Sequence, residues 1–341
     1  MKPFRLGRSR GALAAAAVVF VLITAARLGR QDAGTHRVVT IGAMAPGTSW
    51  YVFAATLAQL LEDRLPPDWD AEVIARGGAI SNPTLVERGR ATIAISQVAT
   101  AVWAWKGHAA FRGREHKRIR ALAGGLNSVW ITAVATEAYI TRTGNDTLEK
   151  ALLSDQPPRI IMKPPGSVVP IVADMIFALL GTSRTELAAK GGSIIQVSAG
   201  QIPELIRDGR ADLYFESAIR GHPALTEVAT LTPVRFLDLP DQVLEALSRD
   251  GLKPSLLPVW FKGQSRPTKA VDCGTVLIAR DDLPDEMAYL ITQTICENTE
   301  TLVRAHKAWA DFDPVRAGRP ESTGIPLHPG AERYYKERGW L

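Results

Sequence analysis

The chain has 341 residues, which is enough for two domains of ordinary size, and its 46% hydrophobic and 22% charged content is typical of a globular protein. The formal net charge of +5 is misleading, because residues 1–30 carry six basic side chains and no acidic one. Removing those six charges from +5 leaves −1 for the remainder, so the charge balance gives no indication of nucleic-acid binding.

Residues 1–30 have the pattern of an export signal. A basic segment, residues 2–10, precedes an apolar run over residues 11–26, and small residues at 24–26 offer a cleavage site. The run is shorter than the roughly 20 residues that span a bilayer comfortably. The sequence therefore predicts a signal peptide or a retained N-terminal membrane anchor over residues 1–30, and export of the rest of the chain.

The chain after this segment begins with alternating strands and helices. A buried strand is predicted at 38–41, a helix at 50–64, a strand at 71–74, a helix that begins at Asn82-Pro83 and stops at Gly89, and a strand at 92–96. This βαβαβ order is typical of a parallel sheet with helices on its faces.

The same order returns after residues 122–136, which are apolar and β-branched and are interpreted as strands that pass into a second lobe. Strands are predicted at 159–162, 193–197 and 212–215, helices at 169–180 and 201–208, return strands at 256–261 and 275–279, one long helix at 283–307 and a terminal helix at 329–338. Residues 85–95 and 205–215 repeat one helix–glycine–strand unit. We predict an α/β protein with two lobes, residues 37–128 with 272–341 and residues 129–271.

Ligands of such sheets bind beside the carboxyl ends of the strands. Four predicted loops lie there, at 42–51, 76–82, 163–169 and 216–223, and three of them lead into helix starts, whose free N–H groups favour an anion. Their candidate polar groups are the hydroxyls of Thr48, Ser49, Ser81 and Ser167 and the cations of Arg76 and Lys163. Trp50 and Tyr51 either stack on a ligand or pack against the sheet, and Gln97 follows a strand end. Any one of these loops alone is better explained as a plain turn, and it is the convergence of four such loops that favours ligand binding.

Signatures of enzymes and of metal sites are absent from the sequence, which has no nucleophile elbow, Walker loop, His-Glu-x-x-His or Gly-x-Gly-x-x-Gly. The six histidines lack metal-ligand spacing, and His222 and His328 both precede proline, which favours a structural role. Cys273 and Cys296 form either a disulfide or two buried thiols, and two cysteines cannot build a zinc cluster. We predict no catalytic residue, no metal and no cofactor.

An ordered set of motifs then resembles one family, the TAXI-type extracytoplasmic solute-binding proteins of TRAP transporters. The motifs are Pro46-Gly47-Thr48-Ser49-Trp50-Tyr51, Gly77-Gly78-Ala79-Ile80-Ser81-Asn82, Pro165-Gly166-Ser167, Gly221-His222-Pro223 and, most distinctively, His328-Pro329-Gly330-Ala331-Glu332-Arg333-Tyr334-Tyr335-Lys336-Glu337. The resemblance covers nearly all of the chain after the signal segment. It implies a type II periplasmic-binding-protein fold that closes on its ligand, a periplasmic location, and delivery to sodium-coupled membrane subunits without ATP.

The resemblance also implies ligands such as glutamate, related amino acids or dicarboxylates. Family ligand contacts match Gly47, Thr48, Trp50, Tyr51, Gly78, Asn82, Gly166 and Ser167, and from the crevice argument we add Arg76, Ser81, Gln97, Lys163 and Glu216. The third loop departs from the family's Gly-x-Pro-Gly-Ser-Gly-Thr, because Lys163 is gained and Val168-Val169 replaces the glycine and the hydroxyl. The first copy of the repeat carries Thr92 in place of the usual Asp.

The predicted function is therefore capture of a small carboxylate-bearing solute by a monomeric, exported binding protein. Its partners would be that solute and the TRAP membrane subunits, with no nucleic acid, and with membrane contact only through an uncleaved N-terminal segment. The alternatives are a periplasmic ligand-sensing module on the same fold and, further, an enzyme on a binding-protein fold.

Overall fold

The computed structural model describes residues 37–341, so the predicted signal peptide or anchor lies outside the described residues. Within that range, helices that combine the length and the apolar character needed to cross a membrane are not found. Arg37, Val38 and Leu65–Asp70 belong to a small unit, in which the Arg37 guanidinium lies over the Trp69 ring at 5.5 Å. The large unit comprises Val39–Arg64 and Ala71–Leu341.

The described elements alternate between strands and helices along most of the chain. The strands are β1 (Arg37–Gly42), β2 (Trp69–Ile74), β3 (Ile93–Ser96), β4 (Ile119–Ala123), β5 (Trp130–Thr136), β6 (Arg159–Met162), β7 (Ser193–Gln196), β8 (Leu213–Ala218), β9 (Val234–Leu237), β10 (Lys253–Leu257), β11 (Thr268–Asp272) and β12 (Val276–Arg280). The helices are α1 (Ser49–Glu62), α2 (Ser81–Glu87), α3 (Val98–Lys106), α4 (Glu137–Thr143), α5 (Leu148–Leu153), α6 (Val168–Leu179), α7 (Arg184–Ala189), α8 (Ile202–Arg207), α9 (Pro223–Leu231), α10 (Asp241–Ser248), α11 (Asp285–Glu297), α12 (Thr299–Ala305), α13 (Pro320–Thr323) and α14 (Pro329–Glu337).

Two sheets carry the fold. The first has the order β2-β1-β3-β12-β4, with β1 parallel to β3 and β12 antiparallel to both β3 and β4. The second has the order β10-β11-β5-β8-β6-β7, with β9 also paired to β5. In the second sheet β6 is parallel to β7 and β8, and β5 is antiparallel to β8.

The two sheets share one topology. In each sheet the first of three parallel strands lies between the second, which is outermost, and the third. The third strand then pairs with an antiparallel strand, which reaches the sheet through a crossing segment from the other sheet. The crossing segments are residues 124–129 and 273–275. The prediction of an α/β fold of the type II periplasmic-binding-protein class, with two lobes and crossing strands, is thereby confirmed; the exact lobe boundaries stay a prediction.

The repeated sequence unit has the same backbone in both lobes. In helices α2 and α8 a glycine in the left-handed conformation stands two positions after the last helical residue, with φ of 65° at Gly89 and 67° at Gly209. Arg90 N donates to Leu85 O at 2.8 Å, and Arg210 N donates to Leu205 O at 2.9 Å. This is the helix C-cap that glycine favours because it lacks a Cβ.

One face of the second sheet forms a hydrophobic core. Its residues include Trp130 and Val134 on β5 and Tyr214 and Ala218 on β8, packed with residues of α8 and α9. Because the register places Thr132 opposite Glu216, these two polar residues occupy the same face. A carboxylate is therefore built into the middle of an apolar layer, and it needs partners.

Three sequence predictions need correction. The helix predicted at 283–307 is two helices, because Asn298 leaves the helical conformation, with φ −116° and ψ 30°, and donates its amide to Thr294 O at 2.8 Å. The strand predicted at 256–261 is β10, four residues shorter at its end, since Pro258 follows it. Glu216 lies inside β8 and not in a loop. Cys273 and Cys296 are both free and buried, and burial raises the pKa of the Cys296 thiol to about 12.

Candidate ligand site

The loop after β1 is shaped around the start of α1. Gly47 has φ 86°, and Thr48 is the N-cap: its Oγ1 accepts from Tyr51 N at 3.3 Å and donates to Ala45 O at 2.8 Å. Trp50 is 8% exposed and so packs more than it faces solvent, whereas Tyr51 is half-buried. The hydroxyl of Thr48 is therefore committed to the cap, and the loop offers a ligand mainly the remaining N–H groups at the start of this 14-residue helix.

Asn82 ties the loops of the first lobe together. Its side chain is fully buried, its Oδ1 accepts from Gly78 N at 3.0 Å, and its Nδ2 donates to Gly42 O at 3.3 Å and to Ile95 O at 2.7 Å. These three partners come from the ends of β1 and β3 and from the loop after β2. The amide of Asn82 thus positions the strand ends, and its bonds are made within the protein.

The loops of the two lobes meet at a pair of glycines. A methyl group on Gly78 would come within 3.1 Å of the Gly166 carbonyl oxygen, which belongs to the loop between β6 and α6. Gly166 has φ 98°, and the next residue, Ser167, is the N-cap of α6, with its Oγ accepting from Val169 N at 3.3 Å. The structure therefore brings together the second and third predicted loops, one from each lobe.

A buried ion pair lies behind the third loop. Lys163 Nζ is 2.5 Å from Glu216 Oε1 and donates to Ser217 Oγ at 2.9 Å. Glu216 is fully buried, and its Oε1 also accepts from Ser217 N at 2.6 Å and from Ser217 Oγ at 3.0 Å, while its Oε2 accepts from the Tyr214 hydroxyl. The Lys163 side chain is 15% exposed, so most of it is buried with the carboxylate that it meets.

This network fixes the charge states of its members. Burial raises the pKa of the Glu216 carboxyl, but the Lys163 ammonium and the donated hydrogen bonds outweigh burial, and the net pKa lies below its ordinary value. Burial lowers the pKa of His222, whose Nε2 is 3.8 Å from Glu216 Oε2, to about 4. The imidazole is therefore neutral at pH 7, and Lys163 and Glu216 compensate each other. The pair therefore contributes no net charge.

Other predicted site residues lie at these strand ends in different surroundings. Arg76 and Ser81 are exposed, and Gln97 is 4% exposed at the end of β3, with its Oε1 buried and unpartnered. Among residues 37–341, groups of three or more side chains suited to a metal ion are not found.

Sequence reasoning missed Tyr214 and Ser217, although both share the strand with Glu216. Tyr214 lies two positions before Glu216 and so on the same face of β8, which was the available signal, whereas Ser217 follows Glu216 on the opposite face and carried none. The structural role predicted for His222 and His328 is confirmed, since each caps a helix that starts with proline: His222 Nδ1 accepts from Leu225 N, and His328 Nδ1 accepts from Gly330 N, both at 3.2 Å.

A cleft of about 570 Å³ lies elsewhere on the second lobe, lined by residues 235–242, 263–266 and neighbouring segments. Four of its charged groups form two pairs with one another, Arg266–Asp238 at 2.6 Å and Lys269–Asp241 at 2.7 Å. None of the predicted site residues lines it. Paired surface charges do not single out a ligand, so the strand-end crevice is the better candidate.

Fold and crevice together define a two-lobed α/β protein of the type II binding-protein class. The chain belongs to the NMT1-like family, whose model matches residues 41–339. It is similar to a solved protein from Bordetella bronchiseptica RB50, with 14% identity over 87% of this chain and 82% of that chain and a TM-score of 0.47.

Two further solved structures are similar. The periplasmic aliphatic sulphonate binding protein SsuA from Escherichia coli has 11% identity over 88% of this chain and 78% of that chain, with a TM-score of 0.42. The ligand binding component of an ABC-type import system from Staphylococcus aureus, a structure with zinc bound, has 12% identity over 89% and 93%, with a TM-score of 0.43.

Proposed function

We propose that this protein is an extracytoplasmic solute-binding protein that captures a small carboxylate-bearing solute between its two lobes. The observation that carries the proposal is the approach of strand-end loops from both lobes at Gly78 and Gly166. A solute placed between such loops contacts both lobes at once, so its binding free energy favours the closed arrangement over the open one. The proposal assigns the chain no catalysis.

A carboxylate suits the groups that these loops present. Helices α1 and α6, of 14 and 12 residues, begin in the first and third loops, and their first N–H groups and dipoles favour an anion. Lys163 has three N–H groups, of which Glu216 and Ser217 take two, so one remains for a ligand oxygen. Exposed Arg76 adds a cation at the loop after β2.

The finer part of the proposal rests on the TAXI resemblance and on the export pattern of residues 1–30. On that basis the protein works in the periplasm as a monomer and delivers its solute to sodium-coupled TRAP membrane subunits. Uptake of the solute into proteoliposomes that carry such subunits should require this protein and a sodium gradient. Uptake that requires ATP instead would contradict the TRAP assignment and leave solute capture standing.

The test of solute capture is a thermal-shift screen of the purified protein against amino acids, keto acids and dicarboxylates. A ligand at 100 times its dissociation constant should add about 2.7 kcal/mol to the free energy of unfolding. The Lys163→Met variant should bind the best carboxylate at least tenfold more weakly, whereas Lys150→Met, which removes a 59% exposed lysine, should bind it normally. If no carboxylate raises the melting temperature, the proposal is wrong.

A further inference from the structure

An ion pair joins the loop after β8 to the segment after α12. Arg220 Nη2 lies 3.7 Å from Asp311 Oδ1, and the two side chains are 42% and 41% exposed. This distance is too long for a hydrogen bond, so the attraction between the two groups is purely electrostatic. Ion pairs of this exposure contribute little to the stability of a fold. This pair is of interest because its two members belong to different lobes.

Asp311 is fixed to the first lobe. It ends the short 3₁₀ helix Lys307–Asp311, in which the Trp309 ring packs on the Phe53 ring of α1 with centroids 4.7 Å apart. His306, just before this helix, lies edge-on to the same Phe53 ring at 5.2 Å. Trp309 and Phe53 are 2% and 1% exposed, so the segment that carries Asp311 is packed firmly on α1 and moves with it.

Arg220 is fixed to the second lobe. It stands two positions after the end of β8, and its guanidinium lies over the Trp260 ring at 5.0 Å. Trp260 in turn lies edge-on to Trp130 of β5 at 5.1 Å and packs against the hydrophobic core of the second sheet. Stacking on this ring orients the guanidinium, whose Nε is buried without a hydrogen-bond partner in the part of the chain that the structure describes.

A second pair of groups meets beside the first. His222, two positions after Arg220, has a lowered pKa, for which burial is the main cause and the proximity of His306 a smaller one. Burial also lowers the pKa of His306, so both imidazoles are neutral at pH 7. The loop after β8 therefore meets the segment around Asp311 at two places, and at pH 7 the charge attraction there comes from Arg220 and Asp311.

We infer that Arg220 and Asp311 form a latch that holds the two lobes in the arrangement of this structure. The pair is exposed and not hydrogen-bonded, so it can break and form again in water. Another contact between the lobes, the bond of 2.7 Å from Trp103 Nε1 to Asp250 O, is made by a side chain only 2% exposed. The effect of the latch on solute affinity rests on the proposed function, whereas its effect on the lobes needs no solute.

Distances between the lobes of the ligand-free protein test the latch directly. Spin labels attached at Lys150→Cys in the second lobe and Lys336→Cys in the first, where the lysines are 59% and 63% exposed, report this distance by double electron–electron resonance. The native Cys273 and Cys296 are buried and should not take up a label. The wild type should show a population with the distance of this structure.

Arg220→Met and Asp311→Asn should each lower the ratio of this population to the remainder by about two- to fivefold, and the double variant should lower it no further. Arg333→Met is the matched control and should leave the ratio unchanged. Arg333 is 41% exposed, lies over the Tyr289 ring at 4.8 Å and pairs with Glu286 at 2.8 Å, so it has the same kinds of contact within one lobe.

Solute kinetics give a second readout on the full protein. Arg220→Met should weaken a solute found in the thermal-shift screen by about two- to fivefold through faster dissociation, because the latch forms after the solute has entered. A loss that appears in the association rate instead would show that Arg220 acts before closure, and it overturns the latch.

The latch and the proposed function fail in different experiments. A population ratio that is equal in Arg220→Met and Arg333→Met overturns the latch and leaves solute capture standing, and so does a ligand-free wild type without the population that has this structure's distance. If no solute binds, the proposed function fails, and the ratio in the ligand-free protein decides on the latch by itself.

Discussion

Replacing Lys163 by methionine should destabilise the protein strongly, because it leaves the carboxylate of Glu216 without its cation. The two groups are 2.5 Å apart, and Glu216 is fully buried in the second lobe. In the variant the carboxylate keeps its bonds to Ser217 and Tyr214, but nothing positive compensates its charge. Removing one partner of a buried pair typically costs about 3–5 kcal/mol, and we expect a loss in that range at pH 7.

A double-mutant cycle separates the pair from the rest of the site. Glu216→Gln alone leaves a buried ammonium beside a neutral amide, whereas the double variant with Lys163→Met removes both charges and should recover most of the stability. We expect a coupling of about 2 kcal/mol from urea unfolding followed by circular dichroism. Arg249→Met, which breaks the Arg249–Glu245 pair with both side chains 73% exposed, is the control and should change little.

The pH dependence provides a second readout of the same variant. Without the ammonium, burial raises the pKa of Glu216 in the folded protein above its value in the unfolded chain, so the variant should regain stability relative to the wild type as the pH falls. A coupling below about 0.5 kcal/mol, with no relative gain on acidification, would refute the reasoning, because surface pairs already give values of that size.

The remaining predictions concern a histidine and the repeated glycines. The pKa of His222 is about 4 in the folded protein against 6.5 ordinarily, so only the unfolded chain takes up this proton between pH 6.5 and 4, and the free energy of unfolding falls over that range. His222→Asn keeps a helix cap and should remove about 3 kcal/mol of this fall. An unchanged slope in pH-dependent unfolding would exclude His222 as the source of the fall. Gly89→Ala and Gly209→Ala should each lower the free energy of unfolding by about 1–2 kcal/mol, since both glycines have positive φ. Gly89→Ala should cost more, because its Cβ would lie 2.0 Å from Arg280 Nη1, while the space around Gly209 is open. Equal losses in urea unfolding would show that the Arg280 side chain moves aside freely.

Features set by local chemistry were predictable from the sequence. The glycine stops at Gly89 and Gly209 follow from the left-handed conformation that ends a helix, and the caps at His222 and His328 follow from the proline after each. The βαβαβ order was equally readable, because hydrophobic periodicity records which face of each element is buried.

What the sequence did not show depends on residues that are distant along the chain. Glu216 was predicted in a loop because the strand was predicted to end at Phe215. A carboxylate is costly to bury, and the cation that compensates it in β8 is Lys163, 53 positions earlier. The break at Asn298 was missed since apolar periodicity continues on both sides of it.

The exchange of antiparallel strands between the sheets has a consequence for the order of assembly. In the first sheet β12 lies between β3 and β4 and pairs with both, and it comes about 150 residues after β4 in the chain. The second sheet, by contrast, is built entirely from residues 130–272. As the polypeptide emerges from its N-terminus, the second sheet can therefore be completed first. The first sheet waits for the returning strand, and until then β3 and β4 keep free edges that other chains can pair with.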